Sequence, residues 1–177
     1  MTKGIILAAG SGSRLLPVTK YINKHLLPVN DKPMIFYPLS ILMLAGIKDI
    51  LIIVNPNDIN KYELLLGNGS SLGIKIKYEI QLKPNGIAEA LNISKPFVKK
   101  ENFFLILGDN FFYGQNFEKF LYEAQLNKRK ATLFAYQVKD TSEYGIITLK
   151  KNRIIKIIEK PKKINSNLAV TGLYYFP

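Results

Sequence analysis

The sequence contains no cysteine and no tryptophan, and it has a single histidine, His25. Without cysteine the chain can form neither disulfides nor thiolate metal sites, and this composition fits a reducing cytoplasm. A lone histidine excludes a histidine-cluster metal site and gives no basis for a Ser-His-Asp triad, so we interpret His25 as incidental.

Long apolar runs are also missing. No stretch reaches the roughly 18–20 residues that a membrane-spanning helix needs, and the nearest one, 34–44, is short and contains Pro38. The first residues lack the basic region and long apolar segment of a secretory signal peptide. We therefore expect a cytoplasmic protein with no membrane partner.

Arginine is scarce while lysine is abundant, and the formal net charge is +12. The basic residues are scattered along the chain, and isoleucine and asparagine are abundant with lysine, which indicates a compositional bias of the genome. We therefore expect a solvated basic surface and no nucleic-acid partner. A weaker functional interpretation is that the positive field attracts anionic nucleotides and sugar phosphates.

The length of 177 residues and a hydrophobic content of 47% favour one domain, 1–177, with a sizeable core. Continuous apolar strands alternate with helical patterns, which predicts a parallel sheet covered on both faces, whereas strand patterns after residue 138 follow one another directly. We predict an α/β fold with a Rossmann-like mixed, mostly parallel sheet flanked by helices and an antiparallel section in the last third. The predicted strands are 3–8, 49–54, 74–80, 103–107, 131–138, 145–149, 153–159 and 168–176, with a hairpin turn at 150–152, and the predicted helices are 33–45, 57–66, 86–94 and 116–128.

The first strand pattern runs into a loop of small residues, 9–13, which ends at Arg14. Backbone N–H groups of such a loop can approach an anion closely, and the guanidinium adds a forked cation for phosphate oxygens. The glycine spacing matches neither the dinucleotide fingerprint nor the Walker motif, and Asn55-Pro56 replaces the acidic residue expected of an NAD-dependent oxidoreductase. A tight strand-to-helix turn without a ligand stays an alternative.

Three further segments carry candidate chemistry at or near predicted strand ends, where ligands of open α/β sheets bind. Asp109, after the strand 103–107, suits Mg²⁺ beside a phosphate, the alternative being an Asx-turn. Lys24 could reach a transferred phosphate, and the alternative is a solvated lysine without a role in binding. Glu159-Lys160 suits a substrate with hydroxyls and a phosphate, or it is a surface pair before a turn.

Taken in order, these segments resemble the sugar-1-phosphate nucleotidyltransferases, most closely their thymidylyl branch. The resemblance covers essentially the whole chain, and the run 31–40 together with 159–161 and 170–174 favours the thymidylyl branch over the uridylyl and cytidylyl branches. The matching segments are 4–15, 17–20, 24–28, 31–40, 42–47, 107–110, 113–114, 144–145, 159–161 and 169–174.

The resemblance implies a nucleotidyltransferase fold and transfer of a thymidylyl group from dTTP to glucose 1-phosphate. The products would be dTDP-glucose, for dTDP-sugar (rhamnose-type) and polysaccharide biosynthesis, and pyrophosphate. Mg²⁺ would be the cofactor, and the sugar phosphate oxygen would attack the α-phosphorus in line. A UTP-using enzyme stays an alternative because one glutamine can bind either pyrimidine.

The resemblance also implies roles for individual residues. Arg14 would bind the departing phosphates, Lys24 the phosphate at the reacting centre and Asp109 the metal ion, and these three would be catalytic. The nucleotide-binding residues would be Leu7, Ala8, Ala9, Gly10, Ser11, Gly12, Ser13, Arg14, Gln81 and Gly86. The sugar-phosphate pocket would comprise Tyr144, Gly145, Glu159, Lys160 and Val170.

The chain departs from the family pattern at Ala9, Ser13 and His25, where Gly, Thr and Gln are usual. Family members also continue past the equivalent of residue 177, with a second metal-binding Asp, a further phosphate-binding Arg and much of the oligomer interface. We therefore expect a shortened domain, for which an inactive nucleotide-binding module is the alternative. The resemblance allows a homo-oligomer in the full-length family and leaves the oligomeric state of this chain open.

Overall fold

The computed structural model describes residues 1–83, 85–151, 153–162 and 165–177, which form a β-sheet with helices on both faces. The strands are β1 (Lys3–Ala8), β2 (Pro28–Val29), β3 (Lys32–Pro33), β4 (Asp49–Val54), β5 (Lys75–Ile80), β6 (Phe103–Leu107), β7 (Thr132–Gln137), β8 (Gly145–Lys150), β9 (Arg153–Glu159) and β10 (Leu168–Phe176). The α-helices are α1 (Phe36–Leu44), α2 (Ile59–Leu66), α3 (Ile87–Val98) and α4 (Phe117–Leu126). One-turn 3₁₀-helices lie at Ser13–Leu15, Val18–Lys20, Lys24–Leu26 and Ser70–Leu72.

The main sheet has the strand order β5-β4-β1-β6-β10-β8-β9, and β7 pairs with β10 beside this path. Strands β5, β4, β1 and β6 are parallel, whereas β10 runs antiparallel to β6, β7 and β8. The predicted α/β class, with an antiparallel section in the last third, is confirmed. Strands β2 and β3 form a separate two-stranded ribbon.

The central parallel strands are buried on both faces, which is why their sequences are continuously apolar. One face of the sheet, with Ile6, Ile52 and Phe104, packs in the same cluster as residues of α1, α2 and α4. The opposite face, with Ile5 and Leu51, packs against α3. Each of these fully buried side chains contributes roughly 2 kcal/mol of apolar burial, so the centre of the sheet supplies much of the stability of the fold.

Strand β1 lies between β4 and β6. The chain therefore adds β4 and β5 on one side of β1 and later adds β6 on the other side. Helix α1, which follows β1, and helix α3, which precedes β6, lie on opposite faces of the sheet. A reversal of this kind opens a crevice at the carboxyl ends of the two strands. The loops that follow β1 and β6 meet at this crevice.

The predicted strands and helices coincide with observed elements to within four residues, and the differences have local causes. Helix α1 begins at Phe36, so that Pro38 falls in its first turn, where proline is tolerated. Helix α3 continues past the predicted end at 94 to Val98, because its buried face (Ala90, Ser94, Val98) extends through Pro96. In the predicted turn 150–152, Asn152 lies outside the described residues, while β8 and β9 on either side pair antiparallel.

Buried residues of the parallel section and of β10 belong to one cluster, which includes Ile6, Phe104 and Tyr175. The assignment of 1–177 to a single domain stays a prediction.

Among the described helices, none combines the length and apolar character that a membrane crossing requires.

Candidate active site

The loop after β1 curls around the carboxyl end of that strand. Gly12 has φ +64°, a conformation that glycine adopts readily, and a Cβ at this position would lie 2.9 Å from Thr19 Cγ2. The Thr19 hydroxyl donates to the carbonyl oxygen of Gly12 at 2.8 Å, which closes the loop. The 3₁₀ turn that follows carries Arg14, whose side chain is 79% exposed. The predicted loop therefore presents small residues at the strand end and a cation at its outer edge.

The Lys24 ammonium donates a hydrogen bond to Asp109 Oδ2 and forms an ion pair with it. The lysine side chain crosses the glycine-rich loop, since a Cβ at Gly10 would lie 3.4 Å from Lys24 Cε. Burial raises the pKa of Asp109, but the hydrogen bond and charge of Lys24 outweigh burial and hold that pKa below its usual value. The loop, the lysine and the aspartate are thus brought together, and the charged form of Asp109 is favoured.

Gly108 holds Asp109 close to the loop after β1. Its N–H donates to the carbonyl oxygen of Leu7 at 2.8 Å, which extends the pairing of β6 with β1. A Cβ at this position would lie 2.8 Å from that oxygen and 2.8 Å from His25 Cδ2, a separation that real Cβ contacts do not show. Glycine is therefore required here by the close approach of strand and imidazole.

Gln81 and Gly86, both predicted to bind the nucleotide, also lie together. Gln81, 3% exposed at the end of β5, donates through Nε2 to Glu89 Oε2 at 2.8 Å and to the carbonyl oxygen of Gly86 at 3.3 Å. Both partners only accept hydrogen bonds, so they fix the NH₂ end of the glutamine amide. The oxygen Oε1 is then the end of the amide available to another donor.

Four of the five residues predicted for the sugar-phosphate pocket line one cavity of about 410 Å³. Glu159 lies against the backbone of Gly145, because a Cβ there would be 3.0 Å from Glu159 Oε2. Lys160 is not part of the lining, although its N–H donates to the carbonyl oxygen of Tyr144 at 2.9 Å. The lining includes Leu107, Asn110, Glu143, Tyr144, Gly145, Glu159, Val170 and Thr171.

Glu143 connects the two predicted half-sites. Its Oε2 accepts from Arg14 Nη2 at 3.4 Å and from Lys160 Nζ at 3.5 Å. All three side chains are exposed, so these ion pairs are weak and readily exchanged. In this arrangement two of the cations predicted to bind phosphate share one carboxylate.

A larger cavity of about 860 Å³ adjoins the smaller one and shares Asn110, Leu133, Tyr144, Val170 and Thr171 with it. Its wall includes several aromatic side chains from 111–120 and β7, together with residues of α4 and β10. The sequence did not predict it, because apolar residues in a loop give no pattern that distinguishes a cavity wall from core.

Other residues near the site were also not predicted from the sequence. Glu143 and Glu89 lie in segments without a recognisable motif. Glu143 contacts Arg14 across 129 residues, whereas Glu89 contacts Gln81 at a separation of 8 residues. Asn23 precedes the 3₁₀ turn Lys24–Leu26 and caps it by accepting from the N–H of His25, a capping pattern that the sequence alone could have suggested. His25, interpreted as incidental, is 2% exposed and contacts the site.

Asp109 is the residue that could hold a magnesium ion. Within the part of the chain that the structure describes, no group of three or more His, Asp or Glu side chains converges on a metal-sized space. Mg²⁺ commonly takes one or two protein carboxylates, several waters and substrate phosphates. A single carboxylate beside a glycine-rich loop therefore fits Mg²⁺ that is also held by the phosphates of a nucleotide.

A site at the strand-order reversal of an α/β sheet is typical of nucleotide-binding proteins. The chain belongs to the nucleotidyl transferase family, whose model, described as "Nucleotidyl transferase", matches residues 3–177. The predicted family is thereby confirmed.

Comparison with individual proteins agrees with this assignment. The glucose-1-phosphate thymidylyltransferase of Neisseria meningitidis is 51% identical over 175 residues, which are 98% of this chain and 61% of that protein. The enzyme of the same name from Mycobacterium tuberculosis is 45% identical over 98% of this chain and 60% of its own length. The chain thus spans about 60% of the length of the curated relatives it matches.

Solved structures show the same fold. A Bacillus anthracis protein, provisionally described as a glucose-1-phosphate thymidylyltransferase and bound to sucrose, superposes with a TM-score of 0.94 at 39% identity, over 99% of this chain and 71% of that one. A UDP-glucose pyrophosphorylase bound to UDP-glucose superposes with a TM-score of 0.83 at 26% identity. The superposition covers 99% of this chain and 75% of that one.

Proposed function

We propose that this chain carries the nucleotide-binding and sugar-phosphate-binding parts of a glucose-1-phosphate thymidylyltransferase. The observation that carries the proposal is the Lys24–Asp109 pair, which lies against the glycine-rich loop, as a phosphate- and metal-binding pair would. The names of relatives that are 39–51% identical support the same activity.

In the proposed reaction, a phosphate oxygen of glucose 1-phosphate forms a bond to the α-phosphorus of dTTP. The bond between the α-phosphorus and the bridging oxygen breaks, and pyrophosphate leaves with that electron pair. The protein supplies alignment and positive charge rather than a covalent nucleophile. Backbone N–H groups of 9–13 and the Arg14 guanidinium would hold the leaving phosphates, and Lys24 would bind the α-phosphate.

Binding of the nucleotide requires Lys24 to exchange its partner. The ammonium would turn from Asp109 to the α-phosphate, and the Asp109 carboxylate would become available to Mg²⁺. When bound, Mg²⁺ would supply positive charge at the phosphate oxygens.

The base would be selected by Gln81. With its NH₂ end held by Glu89 and the Gly86 carbonyl, the glutamine offers Oε1, which accepts from the N3–H of thymine or uracil. In cytosine, N3 carries no hydrogen and is itself an acceptor. It would face Gln81 Oε1 with no hydrogen between the two atoms. The arrangement supports dTTP or UTP over CTP, and the names of the relatives favour dTTP.

The sugar phosphate would occupy the cavity lined by Tyr144, Gly145, Glu159 and Val170. Glu159 would accept hydrogen bonds from sugar hydroxyls, and Lys160, released from Glu143, would meet the phosphate. The polar groups lie on β8, β9 and the loop before β8, so the antiparallel section would hold the sugar and the parallel section the nucleotide.

A second candidate function is nucleotide binding without turnover. It requires only the glycine-rich loop and the Lys24–Asp109 pair, which the structure brings together. Incubation with dTTP, glucose 1-phosphate and Mg²⁺, with pyrophosphate release as the readout, separates the two functions. We expect release from the wild type and none from Asp109→Asn. Binding of dTTP in a calorimeter without release would support the second candidate, and no binding by a folded chain would contradict both.

A further inference from the structure

Three buried polar side chains form a continuous set of hydrogen bonds beneath the Lys24 turn. Asp58, Asn23 and His25 are 6%, 8% and 2% exposed. Asp58 Oδ2 accepts from Asn23 Nδ2 at 2.9 Å, while Asn23 Oδ1 accepts from the backbone N–H of His25 at 3.0 Å and lies 2.8 Å from His25 Nδ1. These three residues are called the Asp58 relay below.

The orientation of the Asn23 amide is fixed by its partners. Its Nδ2 faces Asp58 and, at 3.5 Å, the carbonyl oxygen of Ala8, both of which only accept hydrogen bonds. Rotation of the amide by half a turn would place Asn23 Oδ1 against two buried acceptors. Leaving these acceptors without a hydrogen bond would cost free energy of folding. Asn23 Oδ1 is therefore directed at His25.

Asp58 is itself held as an acceptor. Asn55 Nδ2 donates to it at 2.6 Å and Lys61 Nζ at 2.7 Å. Burial raises the pKa of Asp58, but the hydrogen bonds of Lys61, Asn23 and Asn55 outweigh burial and lower that pKa overall. An ionised carboxylate cannot donate, so Asn23 has only one satisfactory orientation.

The orientation of the Asn23 amide in turn selects the tautomer of the His25 imidazole. Because Asn23 Oδ1 only accepts, His25 Nδ1 carries the hydrogen, and Nε2 faces Gly108, where a Cβ would lie 3.1 Å from it. The ring thus fills the space between the Lys24 turn and the end of β6. Lys24 and Asp109, the neighbours of His25 and Gly108 in sequence, are kept within contact by this packing.

We propose that Asp58 is a positioning residue, which through Asn23 holds His25 in its Nδ1–H tautomer against Gly108 and so keeps Lys24 beside Asp109. The inference rests on the proposed function, since it concerns the pair at which the nucleotide phosphates would bind. Asp58 touches neither substrate nor metal, and its effect on the site passes through two side chains.

The single histidine makes the relay directly measurable, because two-bond ¹⁵N–¹H NMR spectra then report one imidazole tautomer. We expect the Nδ1–H pattern in the wild type and its loss in Asp58→Ala. Asp58→Asn keeps an oxygen that can accept from Asn23, so this variant should retain the pattern. Lys61→Ala, the matched control, removes the outer partner of Asp58 and should also retain it.

The NMR experiment has clear contrary outcomes. A predominant Nε2–H tautomer in the wild type, or an unchanged pattern in Asp58→Ala, would overturn the proposal. If Asp58→Ala does not fold by circular dichroism, Asn23→Ser replaces it, because the serine oxygen is too short to reach His25 Nδ1 and the same loss is expected.

Calorimetric titration with dTTP and Mg²⁺ tests the effect on the site. Loss of a buried hydrogen-bond partner predicts about tenfold weaker binding for Asp58→Ala, with Asp58→Asn and Lys61→Ala within about twofold of the wild type. A changed tautomer with unchanged affinity would overturn the positioning role. If the wild type binds no dTTP, the proposed function fails, while the NMR result still decides whether Asp58 controls His25.

Discussion

Lys24 and Asp109 form an ion pair although 85 residues separate them in the sequence. The contact arises because β1 and β6 are paired neighbours, so the loops that follow them begin side by side. Each partner satisfies the other when no phosphate is bound. In the proposed function the pair would therefore compete with the nucleotide, and its removal should have opposite effects with and without metal.

We predict that Asp109→Asn strengthens dTTP binding in the absence of Mg²⁺ by about fivefold and abolishes the gain that Mg²⁺ gives to the wild type. The variant frees the Lys24 ammonium, an effect on the order of 1 kcal/mol for a partly exposed pair, but it removes the carboxylate ligand. Calorimetric titrations with and without Mg²⁺ measure both effects. Glu118→Gln, on the exposed side of α4, is the charge-matched control, and a Mg²⁺ gain retained by Asp109→Asn would count against the metal assignment.

Glu143→Gln should strengthen binding of dTTP and of glucose 1-phosphate by about twofold to fivefold, because Arg14 and Lys160 lose the carboxylate that they share. The gain should shrink at high ionic strength, since all three groups are exposed. Titrations at low and high salt test both statements. Asp140→Asn removes a nearby charge that does not contact Arg14, and an equal gain in that variant would show that the direct ion pairs are unimportant.

Glu89→Leu should reduce the preference for dTTP over dCTP by about tenfold, because the Gln81 amide would be free to turn and offer its NH₂ end to cytosine. Glu89→Gln can still accept through its oxygen, so it should retain most of the preference. The ratio of the two dissociation constants is the quantity to compare. An unchanged ratio in Glu89→Leu would mean that other contacts select the base.

The stability of the fold should fall as the pH is lowered from 6.5 towards 4. Burial, together with the charge of Lys24, lowers the pKa of His25 to about 4, so in this interval the unfolded chain binds a proton that the folded chain excludes. The free energy of unfolding should decrease by about 2 kcal/mol between pH 7 and pH 5 on this account. Denaturant unfolding at both pH values measures the change. His25→Gln, whose amide can still donate to Asn23, should show a much smaller decrease, and parallel curves for the two proteins would contradict the assignment.

The central strands could be predicted because they are buried on both faces, and burial leaves a continuous apolar pattern such as 49–54. The glycine-rich loop and Asp109 could be placed at strand ends for the same reason. Their convergence followed from the parallel order of the sheet, which the alternation of strands and helices indicates.

The remaining parts of the site depend on contacts that no local pattern encodes. His25 was interpreted as incidental because a lone histidine in a sequence has no visible partner, yet Asn23 and Gly108 surround it. Glu143 meets Arg14 across 129 residues, and its exposed position imposes no composition on its neighbours. The roles of the individual site residues stay predictions until the variants above are measured.

Strand β10 is the only connection by strand pairing between the two sections of the described sheet, since it pairs with β6 on one side and with β7 and β8 on the other. Its pairing with β6 closes a long loop of chain, and such non-local contacts form slowly. The parallel and antiparallel sections of the sheet should therefore become joined late in folding, after β1 and β4 have paired. Pulsed hydrogen exchange during refolding should show protection of the amides of β1 and β4 before those of β10, and simultaneous protection would contradict this order.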